Sequence, residues 1–288
     1  MSETEATRTT APDAAPSLHW LGDSALLVSF GSRIDPALSA RTLAAATRLA
    51  AARLPGIIDV VPAYASVALV LHPDAEPDRL EARVKALLRE RDAPVPVLRA
   101  RRVLIPVSYG GRHGADLGAV AAYAGLSEAE AIERHAGTDY RVAMIGFKPG
   151  FPYLLGLDPA LAMPRRATPR ASVPAGSVAI GGPQTGIYPG ESPGGWQLIG
   201  RTAVRLFDPA LERPSLLAPG DCVRFVPVAP ERLAGAGAEE VGEDVLVAVD
   251  LLDEAVGGHQ CRAQESVGLV GLLRPSGVDQ LLRREARA

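Results

Sequence analysis

Apolar and polar residues alternate along LHWLGDSALLVSF, from Leu18 to Phe30, with Gly22-Asp23 at the midpoint. A period of two around a Gly-Asp pair predicts a β-hairpin whose second strand runs from Ser24 to Phe30. The period then lengthens. IDPALSARTLAAATRLAAARLPG opens on Asp35 as an N-cap, carries Pro36 in its first turn and stops at Gly56, which predicts a helix. IIDVVPAYASVALVLHP reads as two strands broken near Pro62. EPDRLEARVKALLRERDA sets Leu80, Val84, Leu87 and Leu88 on one helical face. The order strands, helix, strands, helix predicts a small α+β sandwich with both helices on one face of one sheet.

A run rich in proline and arginine, DAPVPVLRARR, separates this unit from the next and places a boundary between Ala93 and Arg102. RARR is short and reads as a solvated joint rather than a basic patch. VLIPVSYG predicts a strand; Asp116 precedes a short helix closed by Gly125. Ser127 and Glu130 form a capping-box pattern for a second helix ending near His135, and YRVAMIGF alternates as a strand. From Lys148 to Val228 the helical period disappears. Short apolar runs (SVPAGSVAIGG, WQLIGRTAVRLFD, GDCVRFVPV) stand between Gly- and Pro-rich loops, which predicts an antiparallel sheet closing into a barrel. Beyond Val228, AGAGAEEVGED reads as a flexible link, VLVAVDLLDEAVGG as a strand and GVDQLLRREARA as a short charged helix. The chain divides accordingly into a flexible tail (1–17), a small α+β domain (18–95), a β-barrel domain (96–230) and a C-terminal extension (231–288).

Composition narrows the function classes. The 288 residues are 47% apolar and 22% charged, as in a globular protein. A net charge of −3 gives no bulk electrostatic case for nucleic acid or an anionic membrane. No apolar run approaches the roughly 18 residues of a membrane span, and the first residues lack a signal-peptide core, so a cytoplasmic location is expected. Cys222 and Cys261 make neither a metal spacing nor a disulfide framework and read as reduced thiols. The five histidines are scattered without HExxH, so no metal site is expected, and no GxxxxGK[ST] loop is present.

Candidate chemistry is concentrated in the loops between Lys148 and Arg201. KPGFPY sets Phe151 and Tyr153 beside two prolines and Gly150; PRRATPR presents Arg165, Arg166 and Arg170 between prolines; GGPQTGIYPGESPGGW adds Gln184, Thr185, Tyr188, Glu191 and Ser192. Proline fixes φ and glycine reaches positive φ, so these loops are rigid and irregular, as functional loops are. The arginines suit a carboxylate or phosphate, or else surface ion pairs; Arg170, next to Pro169 and a strand, is the favoured one. Lys148 is an anion contact or a solvated lysine. Gln184 and Tyr188 bond a polar ligand or satisfy buried backbone. Ser177 and Ser192 are nucleophiles only beside a base, and with no GxSxG elbow and no histidine between His135 and His259 a Ser-His-Asp triad has little support. Pro193-Gly194-Gly195 lets the backbone turn and approach closely before Trp196, whose indole walls a pocket or plugs a barrel end.

FKPGFPYLLGL, PRRATPRASVPAGSVAIGGPQTGIYPGESPGGWQLIGRT, LFDP and GDCVRFVPV, with LGDSALLVSFG, VVPAYASVALV, IPVSYGG and GLSEAE earlier, resemble the family of KipI and the B-type component of prokaryotic 5-oxoprolinase (PxpB), also labelled allophanate hydrolase subunit 1. The resemblance covers Leu18 to Val228. It implies an α+β N-terminal domain followed by a cyclophilin-like β-barrel domain. It also implies partners: a protein like KipA or the C-type component of 5-oxoprolinase, and an A-type component. With these, ATP (and Mg2+) would be used to convert 5-oxo-L-proline to L-glutamate. Such a component is expected to be inactive alone. Two alternatives accompany it: a KipI-like regulatory protein inhibiting a histidine kinase, and a carboxyltransferase-like half of a biotin-dependent urea carboxylase system. The substrate-binding set on this sequence is Lys148, Gly150, Phe151, Tyr153, Arg165, Arg170, Ser177, Gln184, Tyr188, Ser192, Gly194, Gly195, Trp196 and Arg201; no catalytic residue is assigned. The extension from Glu231 goes past the usual end of the family, with only a faint likeness to the start of the partner family.

Overall fold

The computed structural model describes residues 15–89, 101–231 and 249–251. The hairpin expected at the start is present as β1 (Ser17–Leu21) and β2 (Ala25–Ser29), paired antiparallel around Gly22, whose φ is +63°. Helix α1 (Pro36–Ala51) follows, with the Asp35 carboxylate accepting the Leu38 N–H. Then come β3 (Ile57–Pro62), β4 (Ser66–Leu71) and α2 (Pro77–Arg89). The sheet order is β1-β2-β4-β3, all antiparallel. Leu26, Val28, Val67 and Leu69 point to one face, where Ala45, Ala46 and Leu49 of α1 and Leu80 and Val84 of α2 close the core. Both helices therefore cover the same face, as the alternation predicts.

The second unit opens with β5 (Arg101–Tyr109), α3 (Leu117–Ala124), α4 (Glu128–Ala136) and β6 (Asp139–Ile145). Gly125 ends α3 in the left-handed region, and Ser127 and Glu130 form the expected capping box. β7 (Pro152–Leu155), β8 (Arg170–Val173), β9 (Ser177–Ile180), β10 (Thr185–Ile187), β11 (Ser192–Gly194), β12 (Gln197–Arg201) and β13 (Cys222–Pro227) follow. The strands β12-β9-β10-β7-β6-β13-β5 form one sheet, and β12 pairs back onto β5 to close it as a seven-stranded barrel. The rest of that edge of β5, Arg101 to Val103, is taken by β14 (Val249–Leu251), part of the strand expected after Val228. β8 and β11 form a separate two-stranded ribbon.

The expected all-antiparallel barrel needs one correction: β5 and β13 run parallel, from Cys222 opposite Arg102 to Pro227 opposite Val107. A strand buried on both faces has no polar face, and its residue pattern carries no sign of direction. The barrel interior is filled by Val103, Ile105, Val142, Leu154, Val178, Ile180, Ile199 and Phe225. Cys222 is disulfide-bonded, against the expected reduced thiol; sequence spacing carries no information on a pairing made through the fold. Among the described residues no helix is long and apolar enough to cross a membrane. The joint at 90–100, the link after Glu231 and the charged C-terminal helix lie outside the described residues.

Candidate functional site

The outside of the barrel wall is buried on one side. Along β9, Val178 and Ile180 face the barrel interior, whereas Ala179 faces a second cluster with Phe151, Val173, Tyr188, Trp196 and Leu198, against which Tyr153 packs. Both faces of β9 are covered, so all four of its residues are buried. The ribbon supplies Val173 to this cluster. Trp196 therefore neither plugs the barrel nor belongs to its interior: it walls an aromatic cluster on the outer surface.

The geometry of that cluster is edge-to-face. Phe151 meets Tyr188 at 5.2 Å and Trp196 at 5.6 Å between ring centroids in this way, and Tyr153 at 4.9 Å in a tilted arrangement. Tyr153 meets Trp196 at 5.9 Å, and Phe147, at a φ of +66°, reaches Phe151 at 5.4 Å. One ring comes from the first unit: Tyr64, in the turn between β3 and β4, lies edge-on to Tyr153 at 5.9 Å. Two glycines make room. A Cβ on Gly181 would sit 2.5 Å from the Trp196 ring, and one on Gly194 would collide with the Tyr188 hydroxyl.

Charge gathers at the rim. The Arg165 guanidinium lies 5.5 Å from the Trp196 ring centre, in cation–π range. Arg170 Nη2 donates to Asp116 Oδ1 at 2.8 Å, Arg166 Nη1 lies 3.4 Å from the same oxygen, and Asp116 Oδ2 accepts the Leu198 N–H at 2.7 Å. Asp116 precedes α3 but its carboxylate does not cap the helix. Lys148 Nζ donates to the Glu191 carbonyl at 2.6 Å, and the Glu191 carboxylate accepts the Ser172 hydroxyl. Four cations against two carboxylates leave an excess of two positive charges beside the aromatic cluster. Burial raises the pKa of Tyr64, Tyr153 and Tyr188; the positive charge of Arg165 opposes the rise in each, and the Trp196 backbone N–H opposes it further at Tyr188. All three hydroxyls are neutral donors at ordinary pH. At this site three buried polar atoms have no hydrogen-bond partner among the described residues: Arg170 Nη1, Ser192 Oγ and the Tyr64 hydroxyl.

Of the residues singled out in the sequence, Phe151, Tyr153, Tyr188, Trp196, Arg165 and Arg170 converge here. Gly194 and Gly195 shape the adjoining backbone; the Gly195 carbonyl accepts the Arg166 N–H at 2.7 Å. Lys148 stands at the edge with Glu191, and Ser192 lies in the ribbon opposite Val173. The remaining four have local roles. Gly150, at a φ of +80°, lets the chain pass Leu206 and Phe207. Ser177 donates to the Pro174 carbonyl, Arg201 to the Ala175 carbonyl, and the Gln184 carbonyl accepts the Gly181 N–H in the β9–β10 turn. Sequence reasoning missed Asp116, which reads as a helix start, and Tyr64, which belongs to another sheet and carries no local signal.

No activated nucleophile is set up among the described residues. Two Ser–His contacts exist among the described residues, both at 2.9 Å: Ser17 Oγ with His19 Nε2, two positions apart on exposed β1, and Ser108 Oγ with His113 Nδ1. Arg112 Nε donates to His113 Nε2 at 3.2 Å, so the imidazole proton is on Nδ1 and points at the serine. Burial and the charges of Arg112 and Arg201 also lower the His113 pKa. Such a histidine does not serve as base for Ser108. Among the described residues no group of three His, Cys, Asp or Glu is placed to hold a metal ion.

Residues 16–217 match the family described as "Carboxyltransferase domain, subdomain C and D", which defines the class of this fold and site. The chain is 45% identical over 209 residues to the B-type component of the Escherichia coli O157:H7 5-oxoprolinase, covering 72% of this chain and 94% of that protein. The chain belongs to this family, the B-type components of 5-oxoprolinase (PxpB). The crystal structure of TTHA0988 is similar at 42% identity and a TM-score of 0.63 over 71% of this chain; the match spans only 40% of that longer chain. The Kluyveromyces lactis urea amidolyase shares the fold, with a TM-score of 0.66 at 20% identity over 82% of this chain and 16% of its own.

Proposed function

We propose that this chain is the B-type component of an ATP-dependent 5-oxoprolinase, a hydrolase that adds water across the lactam C–N bond of 5-oxo-L-proline to give L-glutamate. The observation that carries this reading is the 45% identity to the B-type component of a named 5-oxoprolinase, over 94% of that protein's length. The rim supports it chemically. A small ring with a carboxylate would find the half-buried Tyr153 ring and the exposed Phe147 ring, an excess of positive charge and neutral hydroxyl donors beside the buried cluster. A lactam is a poor electrophile, and phosphorylation of its carbonyl oxygen by ATP would activate it. That step requires positioning and charge stabilisation rather than a protein nucleophile. The rim suits the carboxylate of the ring. We assign ATP, with Mg2+, to the assembled complex of this chain with a KipA-like C-type component and an A-type component, and read the chain as inactive alone. We also read the barrel as cyclophilin-like and the molecule as two domains acting in the cytoplasm.

The test is 5-oxoproline-dependent ATP hydrolysis, assayed with the chain alone and with its genomic partners added in turn. Activity is expected only with the full set. Hydrolysis equally fast without this chain would refute the assignment. The match to a carboxyltransferase description favours one other reading, carboxyl transfer from a biotin carrier. Turnover that requires a biotinylated carrier protein would establish it instead.

A further inference from the structure

Two groups beside the aromatic cluster lack the partners their chemistry calls for. The Tyr64 hydroxyl is shut off from solvent and makes no hydrogen bond among the described residues, an arrangement that native proteins rarely leave unanswered. The Arg165 guanidinium rests on the Trp196 ring, and among the described residues no carboxylate lies within ion-pair distance of it. Its two neighbours in the same loop and strand, Arg166 and Arg170, are both committed to Asp116. The two groups sit together. Tyr64 packs on Tyr153, Tyr153 packs on Trp196, and the charge of Arg165 is felt by the hydroxyls of Tyr64, Tyr153 and Tyr188. They come from different parts of the fold, Tyr64 from the β3–β4 turn of the sandwich and Arg165 from the loop before β8.

We propose that Tyr64 and Arg165 together grip the carboxylate of a small cyclic ligand, so that the sandwich lends one side chain to a site otherwise built on the barrel wall. A carboxylate accepts several hydrogen bonds at once and pairs in a fork with a guanidinium. A buried phenol stays protonated and supplies one more donor. Arg165 is the guanidinium of this cluster without a carboxylate partner, and Lys148, the other such cation, is held on the Glu191 carbonyl at the edge; one guanidinium matches a monoanion. In the proposed complex the Arg165 side chain, on an exposed loop, and the Tyr64 hydroxyl, closed off from solvent here, both turn to the ligand. The proposal rests on the 5-oxoprolinase reading for the identity of the ring, but not for the carboxylate.

The test is calorimetric titration of the full chain, alone and with its partner chains, with three probes: 5-oxo-L-proline, 2-pyrrolidinone (the same ring without a carboxylate) and cyclopentanecarboxylate. Tyr64→Phe keeps the ring and removes the hydroxyl; Arg165→Gln removes the charge. Both variants are expected to weaken 5-oxo-L-proline about ten-fold or more, the scale of a hydrogen bond to a charged group. Both are expected to leave 2-pyrrolidinone unchanged. Equal weakening of the two ring ligands would mean a packing role and overturn the grip, as would no change with either. Binding of cyclopentanecarboxylate but not 5-oxo-L-proline, lost in both variants, would keep the grip and remove the lactam reading. Failure of every ring carboxylate to bind, or displacement of the carboxylates by inorganic phosphate at lower concentration, would overturn it.

Discussion

Asp116 shows how much one buried carboxylate organises here. Its side chain is almost wholly enclosed, yet it takes the Leu198 N–H on one oxygen and two guanidinium groups on the other. Through Leu198 it fixes the start of β12, directly after Trp196; through Arg170 it fixes the start of β8. Removing one member of a buried ion pair leaves the others desolvated and uncompensated, a loss of about 3 kcal/mol. Asp116→Ala is therefore expected to lower unfolding stability by about that amount in urea titration, with Asp116→Asn losing less because it keeps an acceptor for Leu198. A loss below about 0.5 kcal/mol, the level of an ordinary surface change, would show that the carboxylate is not the organising group. Arg170→Ala is milder in stability, since Arg166 and the Leu198 N–H still hold Asp116. Its unpartnered Nη1 makes it the better variant for turnover by the assembled complex, which is expected to fall.

At the level of elements, what was legible in the sequence is what local chemistry decides. The Asp35 cap, the Gly125 stop and the Ser127–Glu130 box all stand where the residues place them, because each is settled within a few positions along the chain. The hairpin and the placement of both helices on one sheet face follow from period alone. The parallel β5–β13 pair joins segments more than a hundred residues apart, and both strands are apolar enough to fit either direction. The site divides in the same way. Its aromatic and arginine members stand out by their glycine and proline neighbours, whereas Tyr64 reaches it only through the packing of one unit on the other. Gly181 shows what the GGPQTG run is for. It ends β9 where the Trp196 indole crosses, and a Cβ there would press into the ring. Gly181→Ala is expected to push Trp196 out of the cluster at a cost of about 1–3 kcal/mol. Tryptophan emission should shift to the red, with Trp20→Phe as background so that Trp196 alone reports. An unshifted spectrum with unchanged stability would mean that the ring is not held against this backbone.

For the whole molecule, the barrel's resistance to acid depends on a histidine away from the rim. His135, at the end of α4, is fully enclosed by Tyr109, Tyr140, Thr185 and Phe225, and its ring stacks on Phe225 at 4.7 Å. The hydrogen bonds fix its proton. The Thr185 hydroxyl donates to the Ala179 carbonyl, so its oxygen accepts from His135 Nε2–H at 3.0 Å; Nδ1 is then bare and accepts the Tyr109 O–H at 2.8 Å. Four strands (β5, β6, β10 and β13) thus meet on one neutral imidazole, tying α4 to the closed sheet. With no carboxylate facing it, burial lowers its pKa to about 3, against roughly 6.5 in an unfolded chain. Between those values the unfolded chain binds the extra proton and the folded one does not, so stability falls as pH falls. The contribution is complete above pH ~6.5 and amounts to about 3 kcal/mol lost by pH ~4, at about 1.4 kcal/mol per unit. Urea unfolding of the wild type at pH 7 and pH 4 should show this loss beyond that of His135→Gln, which cannot titrate. Because Gln also perturbs the network, the comparison is made on the pH difference within each protein and not on absolute stability. Equal losses in both would show that His135 is not the source of the acid sensitivity.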